Sequence, residues 1–181
     1  MLLTAGKVEF KWEQEPGDYK AFAPFGQLPV LKHGDATLGQ SMAITRYCAR
    51  LAGLEGEGSD RAISEMMLEE HNDIFNCLIS AKYKHAAPDS QEAWDKCVKE
   101  DMPKHLTMLE GKVTESGFFG SKMCAGDVAI CSAINCGLDN GLDLAAFPKL
   151  SALYASVCAG EGPCAAYIAT APAPYFKRPA V

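Results

Sequence analysis

Several features that mark other protein classes are missing from this sequence. The chain has 181 residues, and no stretch of it approaches the ~18 to 20 apolar residues of a membrane helix. The segment from Met1 to Glu9 lacks the basic and long apolar parts of a secretory signal. Lys and Arg number 17 against 23 Asp and Glu, giving a formal net charge of -6 without any basic cluster. We therefore expect a cytoplasmic protein with no membrane span and no nucleic-acid partner.

Cysteine is abundant, but the spacings typical of metal and redox motifs are missing. None of the eight cysteines forms a CxxC pair, and most lie in apolar helical patterns, where Cys packs as a small hydrophobic residue. Without a secretion signal, this favours reduced thiols in a cytosol-like compartment. The four histidines show no ligand spacing with the cysteines, so no metal site is predicted.

The first third of the chain has the patterns of strands and one helix. Polar and apolar residues alternate over Lys7–Trp12, which predicts a half-buried strand. Two further strands, Gln27–Lys32 and Ala36–Leu38, flank a turn and predict a hairpin. Ser41 is the predicted N-cap of a helix that ends at Gly53.

The rest of the chain has helical patterns only. A Gly- and Glu-rich segment at 55–60 predicts a linker. It separates an α/β region at 1–54 from an all-helical region at 61–181, an order that indicates two small domains. The predicted helices after the linker cover 62–83, 90–113, 127–136 and 148–158, with a short last helix ending near 169.

Two motifs in the first region have the chemistry of a peptide-binding site. Leu28-Pro29 can hold a cis peptide bond, which would expose the Leu28 backbone for strand-like pairing with an extended peptide. Gln40 and Ser41 lie where a turn meets a helix N-terminus, where free N–H groups and the helix dipole favour a carboxylate. The simpler interpretations stay open: Ser41 as an N-cap only, and Pro29 as the start of an edge strand.

In order and spacing, the segments PFGQLPVL (24–31) and QSMAITRYCAR (40–50) resemble the glutathione-site core of glutathione transferases. The sigma class, which includes prostaglandin D synthases and lens S-crystallins, is the most similar. The resemblance implies a thioredoxin-like N-terminal domain, here incomplete, followed by an all-α C-terminal domain. It also identifies Lys7–Trp12 as the second strand of the thioredoxin-like domain.

The resemblance implies roles for particular residues. It assigns glutathione contacts to Lys20, Gln27, Leu28, Pro29, Gln40 and Ser41. Among these, Gln40 and Ser41 would hold the γ-glutamyl carboxylate, and Lys20 the glycyl carboxylate. Taken alone, however, Lys20 also fits a solvated loop lysine.

Two further family features fall in the helical region. Glu69 occupies the position that reaches the glutathione amine of a partner subunit, although a solvated helix face explains it equally well. Cys124 and Asp127 match the family's helix-capping box, with Cys124 in place of the usual hydroxyl residue.

The sequence departs from the family pattern near its start. Pro16 stands where the family has a tryptophan that contacts the glycyl end of glutathione. The chain also begins at the end of the family's first helix, which we interpret as the loss of about 20 residues, one strand and one helix. That part carries the catalytic Tyr or Ser, so no catalytic residue is identified. Without such a hydroxyl, a thiol with a pKa near ~8.5 gives little thiolate at neutral pH.

Two functions therefore stay open. The first, which requires that the natural protein carries the missing N-terminal part, is a dimeric detoxification enzyme that conjugates the glutathione thiolate to a hydrophobic electrophile. Its pocket would be bordered by Phe75, Tyr83, Tyr175 and Phe176. The second is a non-catalytic structural or assembly subunit built on the same fold, because a fold does not by itself imply an activity.

Overall fold

The computed structural model describes residues 1–13, 17–83 and 90–170. The N-terminal region contains a short helix, a two-stranded hairpin and a longer helix, and the regular elements described after residue 57 are helical. In chain order the elements are α1 (Leu2–Ala5), a 3-10 turn (Tyr19–Ala21), β1 (Leu31–His33), β2 (Ala36–Leu38), α2 (Ser41–Leu51), α3 (Gly58–Tyr83), α4 (Ser90–Lys96), a π-helical segment (Cys97–Asp101), α5 (Met102–Glu110), α6 (Ala125–Leu138), α7 (Pro148–Cys158) and α8 (Ala165–Thr170).

The hairpin is present where the sequence predicts it. β1 and β2 pair antiparallel, with Leu31 opposite Leu38 and His33 opposite Ala36. Gly34 makes the turn at a φ of 56°, a conformation that glycine adopts without steric cost. The first strand begins at Leu31 rather than at Gln27, and Pro29 has no N–H to give to a ladder.

The predicted strand at Lys7–Trp12 is wrong. Lys7 lies in a turn after α1, and residues 8–12 have no regular structure. Phe10 and Trp12 are 44% and 62% exposed, so two of the three apolar side chains of the alternation face solvent. An alternating segment becomes a strand only when a neighbouring strand and a buried face accept it. Among the described residues, only β1 and β2 pair.

The start of α2 differs from the prediction by one residue. Gln40, not Ser41, is the N-cap, and the Ile44 N–H donates to the Gln40 carbonyl oxygen at 3.0 Å. Ser41 is the first helical residue, and the Gln40 side chain makes no capping hydrogen bond. The other end agrees with the prediction: Gly53 follows the helix at a φ of 67°.

The core of the molecule lies among the helices, with α3 packed closely against α6. A Cβ atom on Gly126 would lie 2.7 Å from the Met67 Cβ, so the backbones approach as only glycine permits. The Gly126 N–H donates to the Ser64 Oγ at 3.0 Å across the same contact. Helix α3 begins at Gly58, inside the predicted linker, and the boundary between domains at 55–60 stays a prediction.

A capping box starts α6. The Cys124 N–H donates to one Asp127 carboxylate oxygen at 2.8 Å, and the Cys124 sulfur accepts the Asp127 N–H. The other Asp127 oxygen accepts the Phe119 N–H at 2.9 Å. Burial of this carboxylate raises its pKa despite these backbone donors. The reciprocal pair fixes where the helix begins.

The helix predicted from Ser90 onward is interrupted by the π-helical segment, and a disulfide crosses near it. Cys77 on α3 and Cys97 at the start of the π-helical segment are joined, with their Cα atoms 5.7 Å apart. The prediction that all thiols are reduced is therefore wrong for this pair. Among the described residues, no helix is long and apolar enough to cross a membrane.

Candidate functional site

The predicted glutathione residues lie on the loop before β1 and on the turn before α2. The 3-10 turn Tyr19–Ala21 carries Lys20, whose side chain is exposed. The chain then folds back, with the Ala23 N–H donating to the Tyr19 carbonyl at 2.8 Å. The Gly26 N–H donates to the Ala23 carbonyl at 3.0 Å. These local bonds give the loop a defined shape, although few of its residues are buried.

Two packing contacts hold this loop against the rest of the region. The Lys32 ammonium of β1 lies 4.0 Å from the centre of the Phe22 ring, a cation–π contact. Gly39 faces Phe25 so closely that a Cβ atom there would lie 3.1 Å from the ring. The loop is thereby fixed beside the residue that precedes Gln40, which places the two predicted motifs next to each other.

The backbone at Leu28–Pro29 adopts the cis form that the sequence allows. Leu28 is 48% exposed, and Gln27 and Pro29 are exposed as well. Residues 27–29 are therefore open to solvent immediately before β1.

The entry to α2 has an unusual backbone. Gln40 has a φ of 69° and a ψ of 114°, a conformation that costs a non-glycine residue about 1 to 3 kcal/mol. Ser41 is exposed directly beside it. The first N–H groups of a helix have no intrahelical partner and carry the positive end of its dipole. Such an entry can accept a carboxylate, with the Gln40 amide and the Ser41 hydroxyl as additional donors.

Glu69 lies apart from this loop, on α3, and the structure gives it a partner that the sequence did not indicate. The Arg46 guanidinium of α2 bonds to both Glu69 and Glu65, the latter at 2.7 Å. These two carboxylates raise the pKa of Arg46. The Glu69 side chain is 60% exposed, so it stays accessible from solvent. Sequence spacing cannot reveal this contact, because it joins two separate helices.

The tyrosines and other aromatics considered from the sequence have different surroundings. The Tyr47 hydroxyl contacts His33 Nδ1 at 2.8 Å, which ties the end of β1 to α2. Phe75 packs against His71 with ring centres 4.4 Å apart, and Tyr83 is 57% exposed. Pro16, Tyr175 and Phe176 lie outside the described residues. In the part of the chain that the structure describes, no group of three or more His, Cys, Asp or Glu could hold a metal ion.

Comparison with known families assigns the chain to a family. The family description "Glutathione S-transferase, N-terminal domain" matches residues 5–50, and "Glutathione S-transferase, C-terminal domain" matches residues 72–170. The second match alone covers more than half of the chain. The chain belongs to the glutathione S-transferase family.

Curated relatives carry the same name. Glutathione S-transferase 2 of Manduca sexta is 31% identical over 125 residues, which are 66% of this chain and 61% of that protein. Glutathione S-transferase P 2 of Bufo bufo is 32% identical over 147 residues, 77% of this chain and 67% of that protein. The match thus spans about three fifths of the length of the Manduca sexta relative.

Solved structures share the fold over nearly the whole chain. A rat hPGDS complexed with a quinoline has a TM-score of 0.79 at 21% identity, covering 96% of this chain and 89% of that one. The sigma class GST of Fasciola hepatica has a TM-score of 0.77 at 19% identity, covering 96% and 89%. The monomeric Na-GST-3 of Necator americanus has a TM-score of 0.80 at 21% identity, covering 97% and 91%. These similarities establish a thioredoxin-like N-terminal region, with two strands among the described residues, followed by a helical domain.

Proposed function

We propose that the chain binds glutathione on the surface formed by the loop before β1 and the entry to α2. The proposed contacts are Lys20, Gln27, Leu28, Pro29, Gln40 and Ser41. In this assignment Gln40, Ser41 and the open N–H groups of α2 hold the γ-glutamyl carboxylate. The Leu28 backbone pairs with the cysteinyl part, and Lys20 neutralises the glycyl carboxylate.

The observation that supports this proposal most strongly is the backbone of Gln40. Its φ of 69° is unfavourable for glutamine, and folded proteins keep such residues mainly at ligand sites and switches. The conformation comes directly before a helix of 11 residues whose first residue, Ser41, is exposed. A carboxylate placed there meets donors and the helix dipole at the same point.

The activity that we propose for the whole protein is conjugation of the glutathione thiolate to a hydrophobic electrophile, as in detoxification. The residues described here would bind and orient the peptide, and none of them is assigned as the group that activates the thiol. We further propose a cytoplasmic, sigma-like homodimer in which Glu69 reaches the glutathione amine of the partner subunit. The support is the resemblance of the motifs and the exposure of Glu69. No feature of the structure favours the structural-subunit alternative.

Calorimetric titration of glutathione into the full chain and its Ser41→Ala variant tests the site. Ser41 is exposed and is not the N-cap residue, so we expect the variant to fold with nearly unchanged stability. Loss of a hydrogen bond to a charged group costs about 1.5 to 3 kcal/mol, so the affinity should fall roughly 10- to 100-fold. Ser151→Ala removes an exposed hydroxyl on α7 and should leave the affinity unchanged.

Thermal unfolding gives an independent reading, because a ligand that binds only the folded state raises the melting temperature with its concentration. If millimolar glutathione produces neither heat nor a shift in the wild-type chain, the binding proposal fails. Equal losses in both variants would move the site away from α2.

A further inference from the structure

A second candidate site lies in the helical region, away from Gln40 and Ser41. A cleft of about 630 Å³ separates the C-terminal half of α3 from α4 and the π-helical segment. Its polar lining includes Asn76 and Ser80 on one side and Glu92 and Lys96 on the other. The disulfide between Cys77 and Cys97 also borders this cleft, so a reactive bond faces a space large enough for a small molecule.

The two sulfur atoms of this disulfide are not equally accessible. Cys97 is 2% exposed and belongs to the hydrophobic core, whereas Cys77 is only half-buried. A thiolate breaks a disulfide by attacking one sulfur directly, so access decides which sulfur is attacked. Of the two, Cys77 is the sulfur that an incoming thiolate can approach from the cleft.

The local helix geometry adds a second observation. The π-helical segment begins at Cys97 and ends at Asp101, and both residues line the cleft. Lys96 spans the segment through an ion pair with Asp101 at 2.9 Å. Such interruptions of α-helices occur frequently at functional sites, and this one coincides with the disulfide.

We propose that this cleft is a thiol-exchange site, in which Cys77 forms a mixed disulfide with a small thiol. The attacking thiolate forms a bond to the Cys77 sulfur, the Cys77–Cys97 bond breaks, and Cys97 leaves with the electron pair as a thiolate. No outside oxidant is consumed. The reverse attack by Cys97 expels the small thiol and restores the disulfide, which burial of the Cys97 thiolate favours.

The lining selects the chemical class of the thiol. The carboxylates of Glu92 and Asp101, together with the Lys96 ammonium that pairs with Asp101, match a thiol that carries both ammonium and carboxylate groups, such as glutathione. The inference does not rest on the proposed glutathione site at α2. Exchange at Cys77 should proceed unchanged in the Ser41→Ala chain, which separates failure of one proposal from failure of the other.

The test uses the folded Cys97→Ser chain, in which the residue that reverses the exchange is absent. Its Cys77 thiolate attacks glutathione disulfide, which leaves one glutathionyl group on Cys77 and releases one glutathione thiolate. Cys136 is the internal control, because it is also half-buried and burial raises its pKa to about 12. Peptide mapping should show Cys77 modified at least about tenfold faster than Cys136. Equal rates, or no modification of Cys77 in the folded chain, would overturn the proposal.

The wild-type chain provides a second measurement that needs no variant. Reduced glutathione is added, the reaction is quenched with acid, and the position of the adduct is mapped. Glutathione on Cys77 with Cys97 as the free thiol is the expected result. Adducts mainly on Cys97, or loss of the disulfide without any mixed species, would contradict the assignment.

A Lys96→Gln variant tests the ligand class. Glutathione should exchange several-fold more slowly with this variant than with the wild-type chain, whereas 2-mercaptoethanol, whose only charge is that of the reacting thiolate, should be slowed less. Equal slowing of both thiols would refute the role given to the charged lining.

Discussion

The N-terminal region and the helical region differ sharply in how much apolar surface they bury. Between residues 1 and 53 the buried apolar residues of the described chain are Ala23, Cys48 and Ala49, all small. Large side chains such as Phe10, Trp12 and Phe25 stay exposed there. The helical region instead buries its large residues completely, including Trp94, Met102, Leu106, Ile130, Ile134, Leu150 and Leu153.

This contrast teaches that the apolar core lies apart from the glutathione site proposed at α2. Each fully buried Leu or Ile contributes about 1.5 to 3 kcal/mol of transfer free energy, and nearly all of these side chains lie after residue 54. The proposed glutathione contacts lie where side chains are exposed and the core is thin. Substitutions should therefore affect either stability or affinity, depending on the region.

The largest expected effect comes from a matched pair of leucines. Leu106→Ala removes a side chain with 0% exposure and should lower the free energy of unfolding by about 2 to 5 kcal/mol. Leu28→Ala, at 48% exposure, should cost less than about 0.5 kcal/mol. It should also retain glutathione binding, because the proposed contact uses the backbone. Urea unfolding measures the stability of both variants, and equal losses of unfolding free energy would contradict the contrast between the two regions.

Acid sensitivity should also come from the helical region, through His71. Burial lowers its pKa to about 4, and its Nδ1 atom is buried without a hydrogen-bond partner. An unfolded histidine takes up a proton near pH ~6.5, so the unfolded state binds more protons as the pH falls from there towards 4. The free energy of unfolding should therefore drop by about 3 kcal/mol over this range.

Urea unfolding of the wild type and a His71→Leu variant, measured at several pH values, isolates this contribution from that of the carboxylates. The unfolding free energy of the wild type minus that of the variant should be constant above pH ~7 and should fall below it. Parallel pH profiles would show that His71 does not titrate as expected.

A smaller effect is expected at Gln40, where one substitution should raise stability and lower the affinity for glutathione. Gln40→Gly removes the cost of the positive φ and should raise stability by up to about 1 kcal/mol, while the lost amide weakens glutathione binding. Gln91→Gly makes the same change in the first turn of α4 and should cost up to about 1 kcal/mol without changing affinity. Thermal unfolding and calorimetry separate the two effects. A loss of stability at Gln40 comparable to that at Gln91 would rule out the backbone argument.

The smallest effect on stability is expected on the exposed face of α3. Glu69→Gln and Glu65→Gln each remove one carboxylate from Arg46, and exposed pairs contribute about 0 to 1 kcal/mol. Both variants should therefore unfold almost like the wild type in urea. Glutathione affinity should fall several-fold only for Glu69→Gln, and equal affinities in the two variants would remove Glu69 from the site.

Several elements could be predicted from the sequence because their signals are local. Helix α7 has the predicted bounds, Pro148–Cys158, since a proline suits the first turn of a helix and the apolar spacing continues to its end. The hairpin follows from a Gly-Asp turn between two short apolar segments. The family itself follows from two motifs that lie within 30 residues of each other.

Other features depend on contacts between distant segments. The alternation at Lys7–Trp12 predicts a strand, but no partner strand is present among the described residues. The bond between Cys77 and Cys97 requires two helices to bring their backbones to 5.7 Å across 20 residues of sequence. The contacts of Arg46 with Glu65 and Glu69 likewise join α2 to α3.

The sequence by itself determined the family, the order of an α/β region and a helical region, and the residues proposed to bind glutathione. Helical periodicity, turn residues and short motifs act over a few neighbouring positions, so they can be recognised without the fold. The tertiary structure alone decided that Gln40 takes a positive φ, that Cys77 and Cys97 meet beside a cleft, and that Arg46 holds Glu69. Each of these depends on packing between elements, whose geometry no local pattern specifies.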